Sequence, residues 1–343
     1  MTMTEPSVPN SSDRTPTTMR AATYHRYGPP EQVVAVTEVP VPEPGPADVL
    51  VRVRAASINA LDWHFVTGLP MFARPSLGLR RPRRTIPGAD VAGTVVAVGQ
   101  DVTRFRVGDE VFGEVAGGAF AEYVVAPADW LVARPDRVPA EEAATLGVAA
   151  ETALQGLRDW GGLREGQTVL VNGASGGVGS FAVQIAKALG ASHVTAVCST
   201  ANVETARSLG ADLVVDYRRE EMPGERTYDV LFDNAGNWTL HACARLLSDG
   251  GTYVMVTSPK SRWLHPLPRL LANPIYFGLT RGRRSAGFKV ASRRTTDLEL
   301  LANLADRGAV HPVMDRRFTL DDAPEALRLQ GEFHARGKSI IVP

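Results

Sequence analysis

The segment from Asn172 to Gly179 constrains the fold most, because it places four glycines between an apolar strand pattern and a helical one. Glycines at such a connection allow a tight turn, let the backbone approach a pyrophosphate and bring helix and strand close together. The N-terminus of the helix favours the negative charge of that group. In the frame GxGxxG, Ala174 stands at the first glycine position, with Gly176 and Gly179 in place. The spacing predicts a dinucleotide-phosphate site; an ordinary strand-to-helix connection is the alternative.

Strand and helix patterns alternate around this segment. Apolar runs at 169–171, 194–197, 213–215, 230–232 and 253–256 are typical of strands. Helical patterns occur at 141–157, 181–189, 203–209 and 240–247, and a further helix at 297–305 precedes a last strand at 339–342. The alternation predicts βαβ units and a parallel, doubly wound sheet.

The N-terminal part of the chain has a different pattern. Residues 19–146 contain short apolar runs, such as 49–53 and 91–98, separated by Gly and Pro turns, which predicts an all-β barrel or sandwich. Residues 1–18 are rich in Ser, Thr and Pro and lack the apolar core of a secretory signal, so we expect a disordered lead-in. With 343 residues, the chain has the length of two domains of roughly 150 residues each.

Composition limits the partners and the compartment. The chain carries 37 basic and 37 acidic residues, so it has no general basic excess for nucleic acid. Its two cysteines, Cys198 and Cys243, are too few for a disulfide framework, which fits a reducing compartment. We therefore expect a cytoplasmic protein with no nucleic-acid partner. Because no stretch reaches the roughly 18 consecutive apolar residues of a membrane-spanning helix, we also expect no membrane association.

The strand that follows the glycine loop indicates which dinucleotide binds. About twenty residues beyond the last glycine, NAD-binding sheets usually place an Asp or Glu on the ribose 2′-hydroxyl. This chain has Ser199, Thr200 and Asn202 there and no acid. Hydroxyl and amide groups can donate to a 2′-phosphate, which a carboxylate would repel, and Tyr217 with the two arginines after it could reach the same group. The sequence therefore predicts NADP(H); a solvated turn is the alternative for the arginines.

Three spaced motifs resemble the medium-chain dehydrogenase/reductase superfamily, and more narrowly its zinc-independent quinone oxidoreductase-like branch: the glycine loop, Pro87–Gly93 and Arg106–Val111. The resemblance covers nearly all of residues 19–343. It implies an α/β protein with a GroES-like β-rich catalytic domain plus a Rossmann doubly wound parallel-sheet domain. Residues 19–146, completed by 284–343, would form the first, and 147–283 would form the NADP-binding second. Relatives are often dimers, so a homodimer is also open.

The resemblance implies reductive chemistry without a metal. Zinc alcohol dehydrogenases place a Cys where this chain has the loop Ser57–Asp62, and a His-Glu pair where it has Ala89 and Asp90. Without Lewis-acid zinc, alcohol oxidation is disfavoured. Hydride transfer from NADPH to a small electrophile, either a quinone or the C=C bond of an α,β-unsaturated carbonyl compound, is expected instead. Two alternatives stay open: an enoyl-thioester reductase of lipid or polyketide biosynthesis, and a non-catalytic NADPH-binding regulatory protein.

Candidate site residues fall into two groups. Asn59, Asp62 and His64 are expected at the catalytic cleft by the resemblance, with His64 either donating to a developing enolate or simply packing. The expected cofactor-binding residues, drawn from the motifs and the resemblance together, are Thr152, Ala174, Ser175, Gly176, Gly177, Val178, Gly179, Ser199, Thr200, Asn202, Tyr217, Asn234, Gly236, Phe288 and Lys289. The apolar segment 263–279 is expected to be loop-like, covering the cleft or contributing to a subunit interface.

Overall fold

The computed structural model describes residues 15–71, 74–220, 226–256, 267–280, 282–332 and 336–343. Its strands are β1 (Thr18–Thr23), β2 (Ala35–Pro40), β3 (Asp48–Ile58), β4 (Asp90–Val98), β5 (Glu110–Glu114), β6 (Tyr123–Pro127), β7 (Leu131–Ala133), β8 (Thr168–Asn172), β9 (His193–Cys198), β10 (Leu213–Asp216), β11 (Tyr228–Asp233), β12 (Leu247–Met255), β13 (Arg284–Phe288), β14 (Met314–Thr319) and β15 (Lys338–Val342). Its α-helices are α1 (Pro30–Val33), α2 (Ala60–Thr67), α3 (Arg74–Leu77), α4 (Ala140–Ala143), α5 (Glu151–Gln155), α6 (Gly177–Ala188), α7 (Val203–Ser208), α8 (Leu240–Arg245), α9 (Leu267–Leu279), α10 (Thr295–Asp306) and α11 (Ala323–Glu332). Most of the predicted lead-in, residues 1–14, lies outside the described residues.

A parallel six-stranded sheet carries the glycine loop. Its strand order is β10-β9-β8-β11-β12-β13, so the chain leaves β8 toward β9 on one side and later returns to β11 on the other. Ligands of such sheets bind at the carboxyl ends of the strands where this order reverses. Val169, Leu170 and Val171 of β8 are wholly buried, as a parallel sheet covered on both faces requires. The predicted doubly wound α/β sheet is confirmed.

A second sheet combines the first and last parts of the chain. Its order is β14-β15-β3-β4-β5-β7, and β6 also pairs with β3. The last strand, β15, runs antiparallel to β3, with Ile340 opposite Ser57, and parallel to β14. Strands from residues 48–133 and from residues 314–342 therefore lie in one sheet, whereas β1 and β2 form a separate two-stranded sheet.

The boundary predicted at residue 284 differs from the structure. Strand β13 begins at that residue and pairs in parallel with β12, with Ser285 opposite Tyr253. The six-stranded sheet thus continues past 283. Because β13 is an edge strand of sequence RSAGF, it lacks the apolar run on which the strand prediction relied.

The segment predicted to be a loop at 263–279 contains a helix instead. Residues 267–279 of the segment expected to be a loop form α9, even though Pro274 lies inside the helix; residues 263–266 lie outside the described part. Pro268 falls in the first turn, where a missing N–H loses no helical hydrogen bond. Although α9 is apolar, no helix among the described residues is long and apolar enough to cross a membrane.

The helix predicted at 141–157 is broken into short pieces. Between α4 and α5 lies a π-helical turn, Leu146–Ala150, in which Gly147 has a non-helical ψ of −115°. A Cβ at Gly147 would lie 2.2 Å from Oδ1 of Asp90, so the bend lets the backbone approach this carboxylate. Val148 N–H then donates to the same oxygen at 2.9 Å.

One hydrophobic cluster spans both sheets. It joins Ala92 and Phe112 of the second sheet to Val171 and Phe181 around the glycine loop. Each of these side chains is wholly buried. The shared core fixes how the two sheets face each other, and therefore the cleft between them.

Candidate active site

The glycine loop joins the end of β8 to the start of α6. Gly173 adopts φ +81°, in the left-handed region that glycine tolerates best. Its N–H and that of Ala174 donate to the Val197 carbonyl at 3.2 and 3.0 Å, which ties the loop to β9. Gly176 is extended, and α6 begins after it with no side-chain cap. The first N–H groups of the helix are therefore available to an anionic ligand.

Two glycines of the loop have different surroundings. A Cβ built on Gly179 would lie 2.1 Å from the Gly173 carbonyl oxygen, so packing alone requires glycine there. A Cβ on Gly176 would meet only ordinary contacts, the nearest being Nδ2 of Asn234 at 3.6 Å. Between them, Val178 packs against the core. The space above Gly176 is where a pyrophosphate reaches the first turn of α6, so the loop fits a dinucleotide.

The buried carboxylate of Asp233 holds together the ends of two neighbouring strands, β8 and β11. Asn172 Nδ2 and the Gly236 N–H each donate to its Oδ1 at 2.8 Å, and the Tyr253 hydroxyl donates to its Oδ2 at 2.8 Å. The Asn234 N–H donates to the Asn172 carbonyl at 2.9 Å. The predicted residues Asn234 and Gly236 thus lie beside the glycine loop. Asp233 was not predicted, although a polar residue ending each of two strand patterns is a usable signal.

The turn after β9 contains three of the residues predicted to bind a 2′-phosphate, and the fourth, Tyr217, follows β10. Asn202 is nearly buried and its Nδ2 donates to the Ser199 hydroxyl at 3.0 Å. The Thr200 side chain hydrogen-bonds the carboxylate of Asp216 and so lowers the pKa of that acid. Tyr217 is 54% exposed.

A cavity of about 220 Å³ opens beside this turn. Of the predicted cofactor residues, Ala174, Ser175 and Asn202 line it. Ser199, Thr200 and Tyr217 lie outside that lining. The structure therefore brings the start of the glycine loop and the turn after β9 to one space.

A buried polar network lies where α2 meets β4 and β15. Asn59 Nδ2 and the Ser57 hydroxyl both donate to Oδ2 of Asp90, at 2.8 and 2.7 Å. Lys338 Nζ donates to Asn59 Oδ1 at 2.5 Å. Asp62 accepts from the Asn59 N–H at 2.8 Å. Asp62 and Asp90 are wholly buried and Lys338 is 3% exposed, so these charges compensate one another away from water.

This network connects the cleft to the cofactor loop. The stem of Lys338 packs on Gly177, where a Cβ would lie 2.9 Å from its Cδ. Burial raises the pKa of Asp62 to about 7 and lowers the pKa of Lys338. The hydrogen bonds of Asn59 and Asp62 position α2, and a catalytic role for either stays a prediction. Lys338 was not predicted; a lysine opening the apolar strand KSIIV is the available signal.

The geometry of His64 restricts what it can do. Its Nδ1 lies 2.7 Å from the Leu69 carbonyl oxygen, which can only accept, so Nδ1 carries the proton. Burial lowers the pKa of the imidazole, which favours the neutral form. Nε2 is then an acceptor and would donate to an enolate only from the imidazolium form. A catalytic role for His64 as a donor therefore requires the imidazolium form, and that role stays a prediction.

Two acidic side chains lie near Thr152, whose hydroxyl donates to the carbonyl four residues earlier at 2.6 Å. Glu151 accepts from the Arg294 N–H at 3.1 Å through Oε1, while its Oε2 is buried without a partner among the described residues. Burial raises the pKa of Glu151 to about 8, and that of Glu114, which pairs with Arg293 at 3.1 Å, to about 7. A pKa of about 8 favours the protonated form of Glu151 at neutral pH. A charged residue inside an Ala-rich helix pattern is its sequence signal.

The raised pKa of Glu151 predicts a pH dependence of stability. Between its unfolded value near 4.5 and about 8, the folded state holds a proton that the unfolded state has lost, so stability falls as pH rises. A Glu151→Gln variant stays neutral throughout, and its free energy of unfolding should fall less steeply from pH 5 to 8 than that of the wild type. The difference in slope should reach up to about 1.4 kcal/mol per pH unit.

The matched control for this experiment is Glu325→Gln. Glu325 is on the surface beside Arg328, which lowers its pKa, so its ionisation lies below the pH range tested. Its variant should keep the wild-type slope. If Glu151→Gln has that slope as well, Glu151 is not protonated in the folded protein.

The last two predicted cofactor residues lie at the end of β13. The backbone of Phe288 pairs with Met255, but its side chain lies outside the described part of the structure. Lys289 is exposed. Contact of Phe288 and Lys289 with the nicotinamide stays a prediction.

The positions that correspond to zinc ligands carry no metal-binding set. Asn59 is bound to Asp90 and Lys338 through its amide, and Ala89 has no ligating atom. Within the described ranges, no three His, Cys, Asp or Glu side chains are grouped as ligands for a metal ion.

Comparison with known proteins decides the family. Residues 45–136 match the alcohol dehydrogenase GroES-like domain, and residues 209–341 match the zinc-binding dehydrogenase family. Over 338 residues the chain is 36% identical to quinone-oxidoreductase QR1, chloroplastic, of Triphysaria versicolor, covering 95% of this chain and 98% of that protein. The chain belongs to the medium-chain dehydrogenase/reductase superfamily. The resemblance inferred from its motifs is confirmed.

Other members of the superfamily agree in sequence and fold. The NADPH-dependent alkenal/one oxidoreductase, chloroplastic, of Arabidopsis thaliana is 32% identical over 344 residues, covering 96% of this chain and 80% of that protein. The structure of the quinone oxidoreductase from Coxiella burnetii superposes with a TM-score of 0.81 at 26% identity, covering 95% and 99% of the two chains. This medium-chain dehydrogenase/reductase is thus an oxidoreductase that uses a nicotinamide cofactor.

Proposed function

We propose that this protein uses NADPH to reduce quinones or the C=C bond of α,β-unsaturated carbonyl compounds, without a catalytic metal. The observation that carries the proposal is the hydrogen bonding of the Asn59 side chain. Its amide is occupied by Asp90 and Lys338 at the position where zinc-dependent relatives would need a ligand. The names of two relatives, a quinone oxidoreductase and an NADPH-dependent alkenal/one oxidoreductase, support the same chemistry.

The residues present fit the cofactor. When bound, NADPH supplies the hydride that the substrate accepts. The first turn of α6 and the open backbone at Gly176 would hold the pyrophosphate, while Asn234 borders the same space. The turn with Ser199 and Asn202 offers a hydroxyl and an amide toward the adenosine end, and the neighbouring carboxylate of Asp216 is engaged by Thr200. That chemistry supports NADPH over NADH.

The substrate side needs only an electron-poor carbon close to the cofactor. As the new C–H bond forms at the β-carbon of an enone, the π-electron pair shifts toward the α-carbon and the carbonyl oxygen becomes an enolate. A proton from water at the α-carbon then gives the saturated carbonyl compound. The chain positions the two reactants, and no side chain has to form a covalent bond.

A panel of electrophiles tests this function in protein treated with a chelator and assayed for bound metal. NADPH consumption is followed with 1,4-benzoquinone, 3-buten-2-one and crotonyl-CoA, and NADP⁺ reduction is followed with ethanol. We expect turnover with the quinone or the enone and none with ethanol. Turnover with the thioester alone would support the enoyl-thioester reductase, and tight NADPH binding without any turnover would support a regulatory protein. Stoichiometric zinc in active protein would overturn the proposal.

A further inference from the structure

The cavity beside the glycine loop is built from two distant parts of the chain. Ala174, Ser175 and Asn202 line it from the six-stranded sheet, whereas Met314, Asp315 and Arg336 line it from the segment that returns to the second sheet. Arg336 lies two residues before Lys338, which opens β15. The cavity is therefore complete only when the returning segment is in place.

The arginines near this cavity differ in whether their guanidinium groups have partners in the protein. The backbone N–H of Arg336 donates to Oδ2 of Asp315 at 3.3 Å. Its exposed guanidinium has no hydrogen-bond or ion-pair partner among the described residues. By contrast, Arg219, which the sequence places after β10, lies 3.7 Å from the carboxylate of Asp216. Arg336 lines the cavity beside the turn after β9, whereas Arg218 and Arg219 lie outside its lining.

We infer that Arg336 is a specificity-determining residue that binds the 2′-phosphate of NADPH. This inference rests on the proposed NADPH dependence. The turn that contains Asn202 follows the second strand of the sheet, where dinucleotide-binding folds hold the adenosine ribose. A guanidinium binds phosphate oxygens through two parallel N–H donors, which Ser175 and Asn202 would supplement with neutral groups.

Asp315 provides an independent check, because it lines the same cavity and its carboxylate, which accepts from the Arg336 N–H, has the same sign of charge as the phosphate. If the phosphate binds there, Asp315 weakens it, and Asp315→Asn should bind NADPH more tightly. If Asp315 instead accepts a hydrogen bond from a free 2′-hydroxyl, the same variant should lose affinity for NADH.

The test measures dissociation constants by calorimetry for NADPH, NADH, adenosine 2′,5′-bisphosphate and AMP. Loss of charge-assisted hydrogen bonds in Arg336→Gln should weaken NADPH and the bisphosphate about 10- to 100-fold and leave NADH and AMP unchanged. Arg316→Gln is the matched control, because Arg316 is exposed on β14 and lies outside this cavity. It should bind all four ligands as the wild type does.

The outcomes separate this inference from the proposed function. If the wild type prefers NADPH and Arg336→Gln keeps that preference, Arg336 does not bind the 2′-phosphate and the proposed function stands. If Arg336→Gln weakens both cofactors equally, its role is structural and the inference is wrong. If the wild type binds NADPH and NADH equally, the NADPH dependence itself fails, and this role of Arg336 fails with it.

Discussion

A Gly176→Val variant should fold like the wild type and lose measurable affinity for NADPH. The protein itself leaves room for the new side chain, since the nearest atom to a Cβ at this position is 3.6 Å away. The valine would instead fill the space that the pyrophosphate must enter to reach the N–H groups of α6. We expect an unchanged Tm and a dissociation constant raised at least 100-fold, measured by calorimetry.

Gly179→Val is the matched comparison within the same loop. Its Cβ would lie 2.1 Å from the Gly173 carbonyl oxygen, so backbone has to move and stability should fall by about 1–3 kcal/mol or more. The two variants thus separate ligand binding from packing. NADPH binding by Gly176→Val at wild-type affinity would show that the cofactor does not approach this backbone.

Replacing Lys338 with methionine should produce the largest loss of stability. The ammonium group is 3% exposed, donates to Asn59 Oδ1 at 2.5 Å and to the Ile58 carbonyl at 3.2 Å, and lies among two wholly buried carboxylates. Methionine keeps most of the volume but leaves those carboxylates without their cation. Breaking such a buried set typically lowers the free energy of unfolding by about 3–5 kcal/mol.

Lys187→Met provides the control, because it removes the same residue type from a surface ion pair. Lys187 Nζ lies 3.1 Å from Asp212 and the side chain is 35% exposed, so the loss should stay below about 1 kcal/mol. Urea unfolding followed by circular dichroism measures both variants. Equal and small losses would mean that the buried network contributes no more than a surface pair.

Local patterns predicted the cofactor half of the fold well, since each signal there lies within a few residues. The strand Thr168–Asn172, the glycine loop and the helix Gly177–Ala188 follow directly from apolar runs and glycine spacing. The strand Arg284–Phe288 escaped prediction, because an edge strand with one neighbour needs no apolar alternation. The helix Leu267–Leu279 was expected to be a loop, and Pro274 lies inside it, where proline usually disfavours a helix.

The candidate site was predicted less well from the sequence, because its main contacts connect residues that are far apart in the chain. Lys338 and Asn59 are 279 positions apart, and no local pattern pairs them. For the same reason, Arg336 did not stand out beside Tyr217 as a phosphate ligand. The family resemblance predicted Asn59 and Asp62 at the cleft, but only the burial and hydrogen bonds show that these side chains are bound to the protein itself.

Deuterium transfer from NADPH that carries deuterium at both C4 positions to 3-buten-2-one, in protein freed of metal, separates metal-independent reduction from its alternatives most directly. Mass spectrometry of the product should show one deuterium at the β-carbon, at a rate that neither a chelator nor added zinc changes. Absence of label from the reduced product, or turnover that appears only when zinc is added, would contradict hydride transfer by the cleft described above.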